Sequence, residues 1–150
     1  MELKIPPPVY MLFFFLIMWG FSEVAPVQRF ESYFLMVLGV LLGAAGLLCI
    51  LWAGGLFFRS NTTVNPFTPD KSSQLVVHGL YRYTRNPMYF GLLLMLIGWA
   101  LYLGAVSAFF VLPFFIFTLN FFQVKPEERA LERLFGDEYR TYKNKVRRWI

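Results

Sequence analysis

The sequence predicts an all-α integral membrane bundle of about four transmembrane helices followed by a C-terminal cytoplasmic amphipathic helix, and three observations lead there. Of its 150 residues, 57% are hydrophobic and 20% aromatic, more apolar surface than a soluble domain of this size hides. Three runs carry no charge: Ile5 to Ser22 (18 residues), Ser32 to Phe58 (27) and Asn86 to Val124 (39). A helix crosses a bilayer with about 20 apolar residues, so the first two runs supply one span each and the third supplies two. Because lipid cannot satisfy a free backbone amide and the runs do not alternate strictly between apolar and polar residues, a barrel is excluded and the spans are helical.

The spans are expected near Val9 to Phe21, Tyr33 to Phe57, Met88 to Leu103 and Ala105 to Gln123, with a turn around Gly104. Four spans return both termini to one side, together with Arg59 to Arg85. That side gathers 13 of the 14 Lys and Arg residues and leaves only Arg29 opposite, so the positive-inside rule makes it cytoplasmic. The net charge of +5 reads as a topology signal and a contact with anionic lipid headgroups. No separate basic domain exists to bind nucleic acid. The first apolar stretch follows Pro6 to Pro8 and has no clear small-x-small cleavage site, so it reads as a retained anchor. Cys49 sits alone in mid-span and reads as inert packing.

The second span places Gly39, Gly43, Gly46 and Ala53 along one helical face, where small side chains let a neighbouring helix approach or border a cavity for a lipid or cofactor. The same face serves a dimer as well as a monomer. Between spans two and three, Asn65 to Ser73 has the composition of turns. After Val124, Leu131, Leu134, Phe135, Tyr139, Tyr142 and Val146 recur at helical spacing among charges, which predicts an amphipathic helix lying on the membrane surface or folded back on the bundle. Pro126 suits its first turn and Glu127 and Glu128 its positive N-terminal end, with Gly136 as a point of interruption. Asn120, a polar group inside span four, is expected to bond another helix or contact a cavity.

Chemistry concentrates in His78 to Gly91, H-G-L-Y-R-Y-T-R-N-P-M-Y-F-G, which sets the only histidine, two arginines and three tyrosines at the mouth of span three. As bare composition this is a set of cationic and aromatic anchors ahead of a helix begun by Pro87. The topology, however, returns Glu127 and Glu128 to the same boundary.

The stretch Thr62 to Gly91, followed by E-E-R-A-L (Glu127 to Leu131) and F-G-D-E-Y (Phe135 to Tyr139), resembles the isoprenylcysteine carboxyl methyltransferase family and its bacterial relatives. That family shares with the phospholipid N-methyltransferases an S-adenosylmethionine site made of a G-x-Y-R-x-x-R-H/N-P-x-Y segment and a paired-Glu segment. The resemblance implies one membrane-embedded domain over 1–150, with 1–58 forming two N-terminal spans and 59–150 the cofactor-binding loop, helical hairpin and C-terminal helix. It assigns His78, Gly79, Tyr81, Arg82, Arg85, Asn86, Pro87 and Tyr89 to one cofactor half-site and Glu127 and Glu128 to the other, with Arg85 and Glu128 the catalytic pair. The family often has His where this chain has Asn86, which cannot titrate near neutrality and so cannot be a proton acceptor. The family tail tends to read V-P-R; Val146-Arg147-Arg148 departs from it at a position expected to matter little.

The chemistry of the ligand agrees with this set. Arg82 or Arg85 can pair with its carboxylate, and Glu127 or Glu128 can accept from its ammonium or ribose hydroxyls. Tyr81, Tyr83 and Tyr89 offer π faces to adenine or sulfonium, and Gly79 lets main-chain amides approach. His78 as a backbone-bonded loop residue stands beside His78 as a cofactor contact. The expected function is methyl transfer to a lipophilic or lipidated acceptor in a bacterial inner membrane, with no metal, since no cluster has ligand spacing. Two other readings share the sequence: a sterol-reductase-like NADPH enzyme, against which the paired Glu segment speaks, and a non-catalytic lipid-binding protein.

Overall fold

A computed structural model describes residues 5–59 and 74–150. The turn-rich segment Asn65 to Ser73 lies outside the described residues. Helix α1 covers Pro7–Val24 and α2 Tyr33–Arg59. A single 3-10 turn, Gly79–Arg82, leads into α3, Pro87–Leu103, and a long helix α4 follows over Val106–Phe135. A short helix α5, Asp137–Lys145, ends the chain. Among the described residues α1, α2 and α4 are long and apolar enough to cross a membrane, and α3 is a shorter apolar helix of 17 residues. The protein is an all-helical membrane bundle.

Each boundary has a local cause. Pro7 and Pro87 start α1 and α3, where their missing N–H groups would have had no helical partner. Gly104 ends α3 in the left-handed region at φ +62°, the turn expected from the sequence. There the Phe30 amide donates to the Gly104 carbonyl at 2.8 Å and Arg29 bridges Ala105, so both far-side connections are tied together.

Glycine sets the packing of α2 on α3. A Cβ on Gly46 would lie 2.5 Å from the Gly91 carbonyl oxygen, and one on Gly98 would run into the Gly39 carbonyl. The small face therefore packs helix on helix at backbone contact. Part of it also borders an apolar cavity of about 330 Å³, lined by Gly39, Gly43 and Gly98 together with Met11, Phe15 and Trp99. Helix α1 closes the bundle by packing Phe14 edge-on against Phe115 at 5.5 Å and stacking Phe15 on Trp99 at 3.9 Å.

The largest departure from expectation is at Pro126. No new helix starts there: span four runs on as α4, so Glu127 and Glu128 sit inside a helix and are not partners of an N-terminal dipole. The passage is a π turn over Asn120–Val124, where the Lys125 amide donates five residues back to the Asn120 carbonyl. The widened turn relieves the clash that a proline ring makes with the carbonyl four residues earlier, which lets Pro126 sit inside a continuing helix. The helix breaks instead at Gly136, φ +52°. The end of α4 and the short α5, divided at the expected Gly136, thus take the place of one separate amphipathic helix, and they fold back on the bundle: Tyr139 and Tyr142 are buried with Ala53, Leu56, Val76 and Tyr81.

Candidate active site

The end of the bundle that carries most of the charge brings the two motifs together. Pro87 fixes the start of α3, so Arg85 and Asn86 are the last residues before the span and Tyr89 lies on its first turn. The π turn delivers Glu127 and Glu128 opposite them. Tyr89 donates its hydroxyl to Glu127 Oε2 at 2.8 Å, and Arg85 Nη2 donates to Glu128 Oε1 at 2.9 Å. The Arg85 and Glu128 side chains are each only 8% exposed, so this is a desolvated ion pair. Arg85 also donates Nη1 to the Lys143 carbonyl at 3.1 Å, while its Nε is buried without a partner.

The other residues of the first motif divide by exposure. Tyr81 is buried, and its carbonyl accepts from the Tyr142 hydroxyl at 2.7 Å. Burial first, and the Glu127 carboxylate second, push the Tyr81 phenol well above its ordinary value, so it remains a neutral hydroxyl. Gly79 adopts φ +62°, and a Cβ there would lie 2.7 Å from Leu56 Cδ1, so the turn itself demands glycine. His78, Arg82 and Tyr83 are exposed at the rim. Asn86 is buried and donates Nδ2 to the Arg148 carbonyl at 2.9 Å.

The C-terminal tail is the part sequence reasoning missed. The Arg148 carbonyl accepts from both Asn86 Nδ2 and the Thr84 hydroxyl, and the Arg147 carbonyl accepts from the Arg85 amide at 3.0 Å. The Arg148 guanidinium donates Nε to Glu128 Oε1 at 3.0 Å and Nη2 to Oε2 at 2.6 Å, and those bonds hold its proton more tightly than usual. Trp149 Nε1 donates to Asn120 Oδ1 at 3.2 Å, so the polar group of span four finds its partner in the tail and not in another span. The only signal was the shared terminal arginine of V-P-R and Val146-Arg147-Arg148.

Both motifs fall inside residues 34–138, which match the model of the phospholipid methyltransferase family. The chain belongs to that family. It is similar to a protein-S-isoprenylcysteine O-methyltransferase of Schizosaccharomyces pombe, 29% identical over 140 residues, covering 85% of this chain and 57% of the yeast protein. It is also similar to an uncharacterized protein of Haemophilus influenzae, 52% identical over 63 residues, which is 42% of this chain and all of that protein. No solved structure matches the chain. The Tyr89–Glu127 contact has a test of its own: Tyr89→Phe should lower stability by about 1 kcal/mol, the usual size for one buried hydrogen bond, read as a fall in melting temperature in detergent.

Proposed function

We propose that this chain is a membrane-embedded methyltransferase that uses S-adenosylmethionine to methylate a lipophilic or lipidated acceptor, with the donor site and both termini on the cytoplasmic face of a bacterial inner membrane. The observation that carries this reading is the meeting of Arg85 with Glu128 and of Tyr89 with Glu127, across 43 and 38 residues of sequence, at one membrane edge.

The residues present fit the donor. Two guanidinium groups, Arg85 and Arg148, share the single carboxylate of Glu128, which leaves a surplus cation for a ligand carboxylate. Glu127 gives one oxygen to Tyr89 and can turn the other to an ammonium or a ribose hydroxyl. Bound there, the sulfonium supplies an activated methyl group. The protein's part is positioning: Arg85 and Glu127 hold the two ends of the amino acid tail, and Tyr81 stays neutral beside them. Asn86 orients the tail and moves no proton. The apolar cavity beside Gly39 and Gly98 begins at Met95, about 12 Å along α3 from Pro87 (eight residues at 1.5 Å each), deeper in the bundle than the paired motifs and suited to the acceptor's hydrocarbon chain.

A thermal melt in detergent tests the reading. S-adenosylmethionine or S-adenosylhomocysteine at a hundred times its Kd should stabilise the protein by about 2.7 kcal/mol, raising the melting temperature several degrees, whereas NADPH should not. Glu127→Gln keeps an acceptor for Tyr89 and should blunt that rise. A shift with NADPH alone would favour a reductase, and no shift with any of the three a lipid-binding protein.

A further inference from the structure

Glu128 is held twice. Arg85 reaches only Oε1, at 2.9 Å, whereas Arg148 spans both oxygens, at 3.0 Å to Oε1 and 2.6 Å to Oε2. The Arg85 Nε hydrogen, meanwhile, is buried with nothing to receive it. A guanidinium whose bonds are incomplete, beside an anion that another cation already chelates, is free to change partner at low cost. Without Arg148 the same change would leave Glu128 as an uncompensated charge in a site where it is 6% exposed.

Resting on the function proposed above, we infer that Arg148 is a positioning residue of the donor site: it keeps Glu128 paired through both oxygens so that Arg85 can turn to the carboxylate of the methyl donor. The fold places it for this task. Its carbonyl is fixed by Thr84 and Asn86, the neighbours of Arg85, and the next residue, Trp149, is fastened to Asn120 in span four. The arginine is therefore carried on a backbone tied to both halves of the site, and its side chain, 32% exposed, lies at the rim of the buried pair.

The test is the Kd for S-adenosylhomocysteine, measured on the detergent-purified full chain well below the melting temperature of each variant. Arg148→Ala should weaken binding at least about tenfold, and Arg148→Lys, which restores the charge but cannot span two oxygens, should recover part of that loss. Trp149→Phe removes one tether of the tail, but Thr84 and Asn86 still hold the Arg148 carbonyl and the guanidinium stays beside Glu128, so affinity should stay within about twofold of the parent protein. Full affinity in Arg148→Ala, or a loss in Trp149→Phe as large as in Arg148→Ala, overturns the inference and leaves the donor site standing. If Arg148→Ala does not fold, Arg148→Lys decides: unchanged affinity there overturns it. No binding by the parent protein removes the donor site itself.

Discussion

Glu128→Gln should destabilise the protein by about 3 kcal/mol, seen as a lower melting temperature in detergent without any ligand, because breaking a buried ion pair costs about 3–5 kcal/mol and one of the two cations here is partly solvated. The cost falls on the anion for a reason of counting. Glu128 is the carboxylate between Arg85 and Arg148, so its loss leaves two like charges facing an amide. Removing Arg85 instead leaves Glu128 paired with Arg148, and Arg85→Ala should cost visibly less. A smaller loss for Glu128→Gln than for Arg85→Ala would show that the pairing with Arg148 does not operate in solution. A failure of Glu128→Gln to bind the methyl donor therefore mixes folding with recognition, which is why Glu127→Gln is the sharper probe of binding.

Gly98→Val should be nearly as damaging, at about 3 kcal/mol, the upper end of the range for overpacking a filled interior. A β-carbon at residue 98 meets the Gly39 carbonyl and comes within 2.9 Å of the Gly43 amide nitrogen, both of them backbone atoms that cannot rotate away. The two helices must separate, and the apolar cavity beside them must change shape. Gly54→Ala is the control: nothing lies within 4 Å of the added carbon, so it should stay within about 0.5 kcal/mol of the parent or gain slightly from helix propensity. Equal melting temperatures for Gly98→Val and Gly54→Ala would mean that α2 and α3 do not touch through glycine.

The spans were legible because the absence of charge over 18, 27 and 39 residues is a one-dimensional property, and the bilayer acts on it without reference to the rest of the fold. The Gly104 turn was legible for a similar reason: a glycine between two apolar stretches allows the left-handed backbone that a tight reversal needs. The course of the chain at Pro126 was not. A proline is compatible with a first helical turn and with an interior π turn alike, and only the tertiary advantage of bringing Glu128 to Arg85 decides between them. The tail was illegible on other grounds. The carbonyls of Arg147 and Arg148 that hold Arg85, Thr84 and Asn86 are groups every residue has, and no side-chain spacing pairs the Arg148 guanidinium with Glu128.

The π turn at Asn120–Val124 makes α4 a helix with two phases. Side chains advance by about 100° per residue, so a turn that holds one extra residue rotates everything beyond it by that angle relative to the apolar part. The lipid-facing stripe of span four and the face bearing Glu127 and Glu128 are thereby set independently. Were the turn regularised by losing one residue, the span would keep its place in the bundle while both glutamates swung off Arg85 and Tyr89. Asn120, which opens the turn, is also where Trp149 fastens the tail, so the offset between the two faces and the docking of Arg148 share one anchor.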